Sequence, residues 1–239
     1  MRLQAKGKAG FTLVEMAIVL VIIGIILAGV MKGRDIVRGS QIKQFSQQFA
    51  QKWGTIAQTY YDKTGQNLND GTKNGGSDAV PDGLMEANIM TRAANIHNAC
   101  ENVGIAPCTL IKSRLTDWTG GNCGAAGTNI YKTKIDGEFS GPTNVIVDLV
   151  GLNIVSSGKT YKRNVVLLTY VPIDVARGLD TAIDGIEDGT TGSFLCFNNG
   201  VAAQANTMPY GPNANVSGVA WNSASGTNRY THAGIILDF

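Results

Sequence analysis

Residues Phe11 to Met31 read FTLVEMAIVLVIIGIILAGVM, 21 positions with a single charge, Glu15, and no proline. Wound as an α-helix, the run extends about 31 Å at 1.5 Å per residue, close to the hydrocarbon thickness of a bilayer. Arg2, Lys6 and Lys8 precede it, the basic leader of a segment whose first end stays in the cytoplasm. Lys32, Arg34 and Arg38 follow it, so the positive-inside count is close to a tie. A secretory signal has a shorter apolar region, about 7 to 15 residues, ahead of a small-residue cleavage site. A plain membrane anchor fits the length but leaves Glu15 unexplained, because a carboxylate at bilayer depth costs on the order of 3 kcal/mol. That charge requires a partner.

Beyond Met31 the apolar residues thin to Ile42, Phe45, Phe49, Trp53, Ile56 and Tyr60, at successive spacings of 3, 4, 4, 3 and 4. These are positions on one helical face, with Gln44, Gln47, Gln48, Gln51 and Lys52 between them. A continuous helix from Phe11 to about Tyr61 measures roughly 75 Å, and its second half is stable only if it packs on other structure. The aromatic stripe reads as core and assigns no cofactor role to Trp53 or Tyr60. Gly24, Gly29 and Gly33 weaken the helix locally and permit close helix approach.

The remainder has a different texture. Glycine reaches 30 of 239 residues and accompanies many Asn, Ser and Thr, a composition of turns and loops. The formal charge of +2 with scattered Lys and Arg argues against a partner held by bulk charge, so nucleic acid is disfavoured as a ligand without being excluded. Strand-like runs occur at Val145 to Val150, Val165 to Val171, Ser193 to Asn198 and Gly234 to Asp238, and imply a small antiparallel sheet. A helical stretch is expected from Leu84 to about His97, opened by Pro81, Asp82 and Gly83, and an exposed loop from Gly120 to Gly127. The resulting expectation is an α+β fold, in which a long N-terminal helical stem packs on a small antiparallel head with Phe45, Phe49 and Trp53 in its core. Its boundaries fall at a leader 1–10, a spanning helix 11–31, an amphipathic stem 32–61 and a head 62–239.

Cys100, Cys108, Cys123 and Cys196 contain no C-x-x-C pair, which argues against thiolate metal ligation. An even count beyond a membrane segment suits an oxidising compartment. Three disulfide connectivities are open and sequence does not choose among them; Cys100 with Cys108 and Cys123 with Cys196 is favoured, the alternative being buried reduced thiols. In the segment PIDVARGLDTAIDGIEDGTTG, Val175, Leu179, Ile183 and Ile186 form a short helical face ending at Gly185 or Gly189. Asp180, Asp184, Glu187 and Asp188 converge near that end, and hard oxygen ligands of this kind suit Ca²⁺, although the spacing is not that of an EF-hand. The competing reading makes them caps and solvated charge; no other cofactor is indicated.

Catalytic patterns are missing. There is no G-x-S-x-G elbow, and His97 and His232 are the only imidazoles. The run GLNIVSSGKT, Gly151 to Thr160, has six residues between its glycines where a phosphate loop needs four, and reads as a hairpin turn. No enzyme activity is expected.

Gly10, Phe11, Thr12, Leu13, Val14 and Glu15 together resemble the G-F-T-L-x-E signature of type IV prepilins and type II secretion pseudopilins. The resemblance implies cleavage after Gly10 by prepilin peptidase, N-methylation of Phe11 and polymerisation through the N-terminal helix. Glu15 would then guide assembly by meeting the Phe11 amine of a neighbouring subunit. Losing the leader's three basic residues takes the formal charge from +2 to −1. The order of stem then sheet is similar to the pilin fold, and the acidic segment is similar to one recurring in pilin-like heads. Many type IV pilins carry a stem-breaking proline near the position of Lys32, and this chain has none there.

The resemblance therefore implies a structural filament subunit, a minor pilin or pseudopilin ahead of a major pilin. Its partners would be other pilins, the peptidase, an inner-membrane assembly platform and, before assembly, membrane lipid. The location implied is the bacterial inner membrane with the head in the periplasm, then an envelope-spanning or extracellular filament. The alternative from another class is a membrane-anchored monomer whose head binds a sugar, a surface or DNA.

Overall fold

The computed structural model describes residues 12–113, 123, 129–201, 209–222 and 228–239. The chain divides into two compact units, Met1–Gln41 and Ile42–Phe239. Helix α1, Leu13–Phe45, runs through a π-helical turn at Ser46–Ala50 into α2, Gln51–Thr64. The most apolar 18 residues of this stretch have a mean hydropathy of 2.9, and none of that window is buried, so this helix is long and apolar enough to cross a membrane. α2 stops where Gly65 takes a left-handed conformation, φ 69°, and its N–H reaches Tyr61 O at 2.7 Å, a C-terminal cap for which glycine carries the least steric cost.

The second unit is built on an antiparallel sheet. Its strands are β1 Lys132–Gly137, β2 Gly141–Ser156, β3 Lys159–Pro172, β4 Phe194–Val201, β5 Asn215–Val216 and β6 Tyr230–Leu237. The order is β1-β2-β3-β6-β4, with β5 beside β2 in parallel. The expected runs fall on β2, β3, β4 and β6, two of them by one residue too long: Ser193 precedes β4 and Asp238 follows β6. The sequence reading missed β1, whose K-T-K-I-D-G offers only one large apolar residue, Ile135, to the core. Ser157 and Gly158 join β2 to β3 in a two-residue turn with φ 51° and 74°, so the GLNIVSSGKT run is a hairpin.

Alternation in the two long strands serves two cores. Val145, Val147 and Leu149 with Val166 and Leu168 face a layer formed by Phe45, Phe49, Trp53, Ile56 and Tyr60, the stem stripe, together with α3 (Ile89–Asn102) and, after the single-turn α4 (Pro107–Leu110), α5 (Ile173–Asp184). Val150, Leu152 and Ile154 with Val165 and Leu167 face a smaller layer containing Leu195, Phe197 and Val216. Burial on both faces explains why these strands read as nearly continuous apolar runs. The outer edge of β2 is covered along its length: by β1, then by Tyr131 O to Val147 N–H at 2.7 Å, then by Met85 to Ala87, then by Ala214 and β5. Trp53 is fully buried, and the Phe45 and Phe49 rings stack at 5.7 Å across the π turn.

The helix expected from Leu84 begins later, at Ile89. Glu86 bridges to Val150 in extended conformation, and Ala87 and Asn88 have φ of 64° and 58°. The start of α3 is fixed from outside its own sequence: Asp148 accepts from Asn88 N–H at 2.9 Å and Ile89 N–H at 3.0 Å. Pro81 to Gly83 instead form a turn held by the Asp70 carboxylate, which accepts from Asp82 and Gly83 N–H groups.

Candidate functional site: the N-terminal helix and the acidic turn

Thr12 and Glu15 form a reciprocal cap on the first turn of α1. Glu15 N–H donates to Thr12 Oγ1 at 3.2 Å, while Thr12 N–H and Thr12 Oγ1–H donate to Glu15 Oε2 at 2.8 and 3.0 Å. This is a capping box, and it places a carboxylate at the positive end of the helix dipole. Glu15 Oε1 receives no hydrogen bond from the described residues. Gly10 and Phe11, the expected processing residues, lie outside the described residues. Thr12 had no assigned role in the sequence reading; the T-x-x-E pattern ahead of an apolar run is the signal that finds it. Around this cap every large apolar residue from Leu13 to Met31 is exposed, with Leu13 at 90% and Leu20 at 70%.

The acidic turn behaves differently from the expectation of calcium ligation. Asp180 is buried and its Oδ2 accepts from Asp188 N–H, Gly189 N–H and Trp221 Nε1–H at 2.9, 2.9 and 2.7 Å. Asp184 accepts from Ser193 and Phe194 N–H groups at 3.0 and 2.8 Å. Asp188 caps Thr190 and Thr191, and hydrogen bonds to these two hold its carboxyl at about 2. Glu187 pairs with Arg177. Each carboxylate is thus spent on a separate backbone or side-chain donor, and among the described residues no three His, Cys, Asp or Glu side chains converge on a metal position. The calcium assignment is replaced by a turn stapled from α5 onto β4.

The expected disulfide pairing is also corrected. Cys108 bonds to Cys123, and Cys100 and Cys196 are free and buried. Cys100 sits on the inward face of α3, and Cys196 is in β4 beside Thr231 Oγ1 at 3.3 Å. Packing holds these two in separate elements. Burial pushes the Cys100 thiol up to about 12 and the Cys196 thiol up to about 11, so both stay protonated and inert at neutral pH. The loop expected at Gly120 to Gly127 lies outside the described residues except for Cys123.

Neither histidine is arranged as a base. Burial lowers His232 to about 4, and its Nδ1 accepts from Tyr170 N–H at 3.3 Å. His97 is buried on α3 with Glu101 at 3.7 Å. Tyr60 donates to Asn74 Oδ1 at 2.8 Å, which completes its role as a core residue.

A family model for the prokaryotic N-terminal methylation motif matches residues 5–31. No curated protein and no solved structure matches the chain. The matched stretch contains Lys6 and Lys8 of the basic leader, Gly10, Phe11, the Thr12–Glu15 cap and the whole apolar run.

Proposed function

We propose, from an N-terminus that carries the methylation motif of type IV pilin-like proteins, that the chain is a structural subunit of a type IV pilus or type II secretion pseudopilus. A minor pilin or pseudopilin is favoured over a major pilin. The single observation that carries this reading is a 21-residue apolar run, Phe11 to Met31, whose described part buries nothing and is headed by a carboxylate held in place by its own cap. Prepilin peptidase removes residues 1–10, and the new Phe11 amine is methylated. Helix 11–31 resides in the inner membrane and then in the filament core. The head, in the periplasm, is carried outward on the stem.

In this reading Glu15 serves assembly. A carboxylate in an apolar filament core is tolerated when a cation meets it, and the amine of Phe11 on a neighbouring subunit supplies that charge. The Thr12 hydrogen bonds to Oε2 orient the carboxylate so that Oε1 is available. A pilin-type structural role also accords with inert thiols and an uncharged His232 in the head.

The test combines mass spectrometry of the mature N-terminus with recovery of sheared surface material. A methylated Phe11 is expected, and a Gly10→Leu precursor should retain its leader. Glu15→Ala subunits should be processed yet missing from the sheared fraction; their incorporation at wild-type levels would refute the assembly role.

A further inference from the structure

Two exposed apolar side chains of the head are each surrounded by charge, and the two charges are opposite. Tyr161, 43% exposed, lies on the β2–β3 hairpin. β3 pairs with β6 only from Asn164 onward, so Lys159 to Arg163 extend beyond the sheet supported by β2 alone. Lys159, Tyr161 and Arg163 alternate onto one face at a repeat of about 6.8 Å, with Lys162 on the other. The segment from Asn153 to Asn164 has no acidic residue, and none of its three cations forms an ion pair among the described residues. Arg163 instead lies over the Tyr161 ring at 5.9 Å and donates to Lys162 O at 3.2 Å.

Ile186, 64% exposed, stands at the tip of the α5–β4 turn between Asp184 and the pair Glu187 and Asp188. This turn is rigid for its size. Gly185 N–H caps α5 on Thr181 O at 3.1 Å, and Asp180, Asp184 and Asp188 bind its backbone N–H groups. Holding Ile186 from such a base lowers the ordering cost of any contact it makes. The two patches form no ion pair with each other within the chain.

We infer that the β2–β3 hairpin of one subunit docks on the α5–β4 turn of a second copy of this chain, placing Tyr161 against Ile186, Lys159 and Arg163 against Asp184 and Asp188, whose hydrogen bonds to neutral N–H and O–H groups leave their charge in place, and Arg163 against Glu187, which exchanges its exposed partner Arg177 for it. An apolar centre with a complementary charged rim is the anatomy of a specific interface, in which the charges set register and partner choice. Because the two patches differ, the contact is heterologous and passes from copy to copy, as an open chain unless its rotation closes a ring. The inference rests on the filament reading above, and gives the heads a contact separate from the N-terminal helices.

The full-length chain in its native membrane tests it. A Tyr161→Cys, Ile186→Cys double variant under mild oxidation should give a ladder of dimers, trimers and higher species on a non-reducing gel, while each single variant gives none. Adding Arg163→Glu should abolish the ladder, and adding Glu187→Lys to that variant should restore it. A double variant that appears in sheared filaments without any ladder overturns the head contact and leaves the filament reading standing. Dimers from either single variant, pointing to a two-fold contact, or a failure of Glu187→Lys to restore the ladder, overturn it equally. If wild-type chain forms no filament or larger assembly, both readings fall.

Discussion

Glu86 and Asp148 are both buried carboxylates, and the head answers to them in opposite directions. Glu86 accepts from Gly71 N–H at 2.7 Å, Asp78 N–H at 3.0 Å, Ser77 Oγ–H at 2.6 Å and Ser77 N–H, and pairs with Arg92 at 3.0 Å. Burial would raise its carboxyl, but the hydrogen bonds from Ser77, Asp78 and Gly71 outweigh it and bring it to about 2. Asp148 accepts only backbone N–H groups, and burial prevails, pushing it up to about 6. In the unfolded chain both titrate near 4. Glu86 therefore contributes stability that is present above pH ~4 and lost as pH falls toward 2. Asp148 binds its proton more readily when folded, so its cost is present above pH 6 and relieved between about 6 and 4. Over the same range His232 works against it, because an imidazole held near 4 in the fold takes its proton more readily when unfolded. Melting temperature of the whole chain in detergent should therefore stay nearly level from pH 6 to pH 4 and fall below it. Glu86→Gln should flatten the acid limb and lower the plateau, and Asp148→Asn should turn the level stretch into a fall. A level stretch retained in Asp148→Asn would place its cause elsewhere.

At the scale of elements, the stem and the acidic turn show what holds the head together. Trp53 is fully buried between α2 and the sheet, so Trp53→Ala should cost about 3–5 kcal/mol, read as a lower urea midpoint of the head. Asp180 staples the end of α5 to β4 and Trp221, and Asp180→Ala leaves buried N–H groups without an acceptor, at a cost of about 2–4 kcal/mol. Calcium titration should leave the melting temperature of the wild-type chain unchanged, because these carboxylates are already spent. The stem was legible in the sequence because its signal is local: a 3,4 spacing of apolar residues from Ile42 to Tyr60 suffices to define the buried face. β2 and β3 were legible for the same reason. What escaped was determined at a distance. The start of α3 depends on Asp148, about 60 positions away in sequence, and the use of Asp180 depends on Trp221, 41 positions away. Cysteine pairing failed likewise, since which thiols meet is set by packing. At the N-terminus, the T-x-x-E cap was present in the letters, whereas the motif's processing residues lie outside the described structure.

Over the whole molecule, burial is confined to one unit. Every buried apolar residue of both cores lies between Phe45 and Leu237, whereas the described residues from Thr12 to Gln41 include none that is fully buried. The exposed surface from Leu13 to Met31 must be covered by lipid or by like helices, at about 25 cal/mol for each Å² left in water. Neither core includes a residue of that stretch. A chain beginning at Gly39 should therefore be soluble without detergent, retain the Cys108–Cys123 disulfide and melt within about 3 °C of the full-length protein, a shift corresponding to about 1 kcal/mol for a domain of this size. Thiol labelling gives the same chain a second readout: Cys100 and Cys196 should react only after denaturation, and Cys108 and Cys123 only after reduction. If the shortened chain aggregates, or if Cys100 labels in the native state, the apolar helix contributes to the head's core in a way its exposed side chains deny.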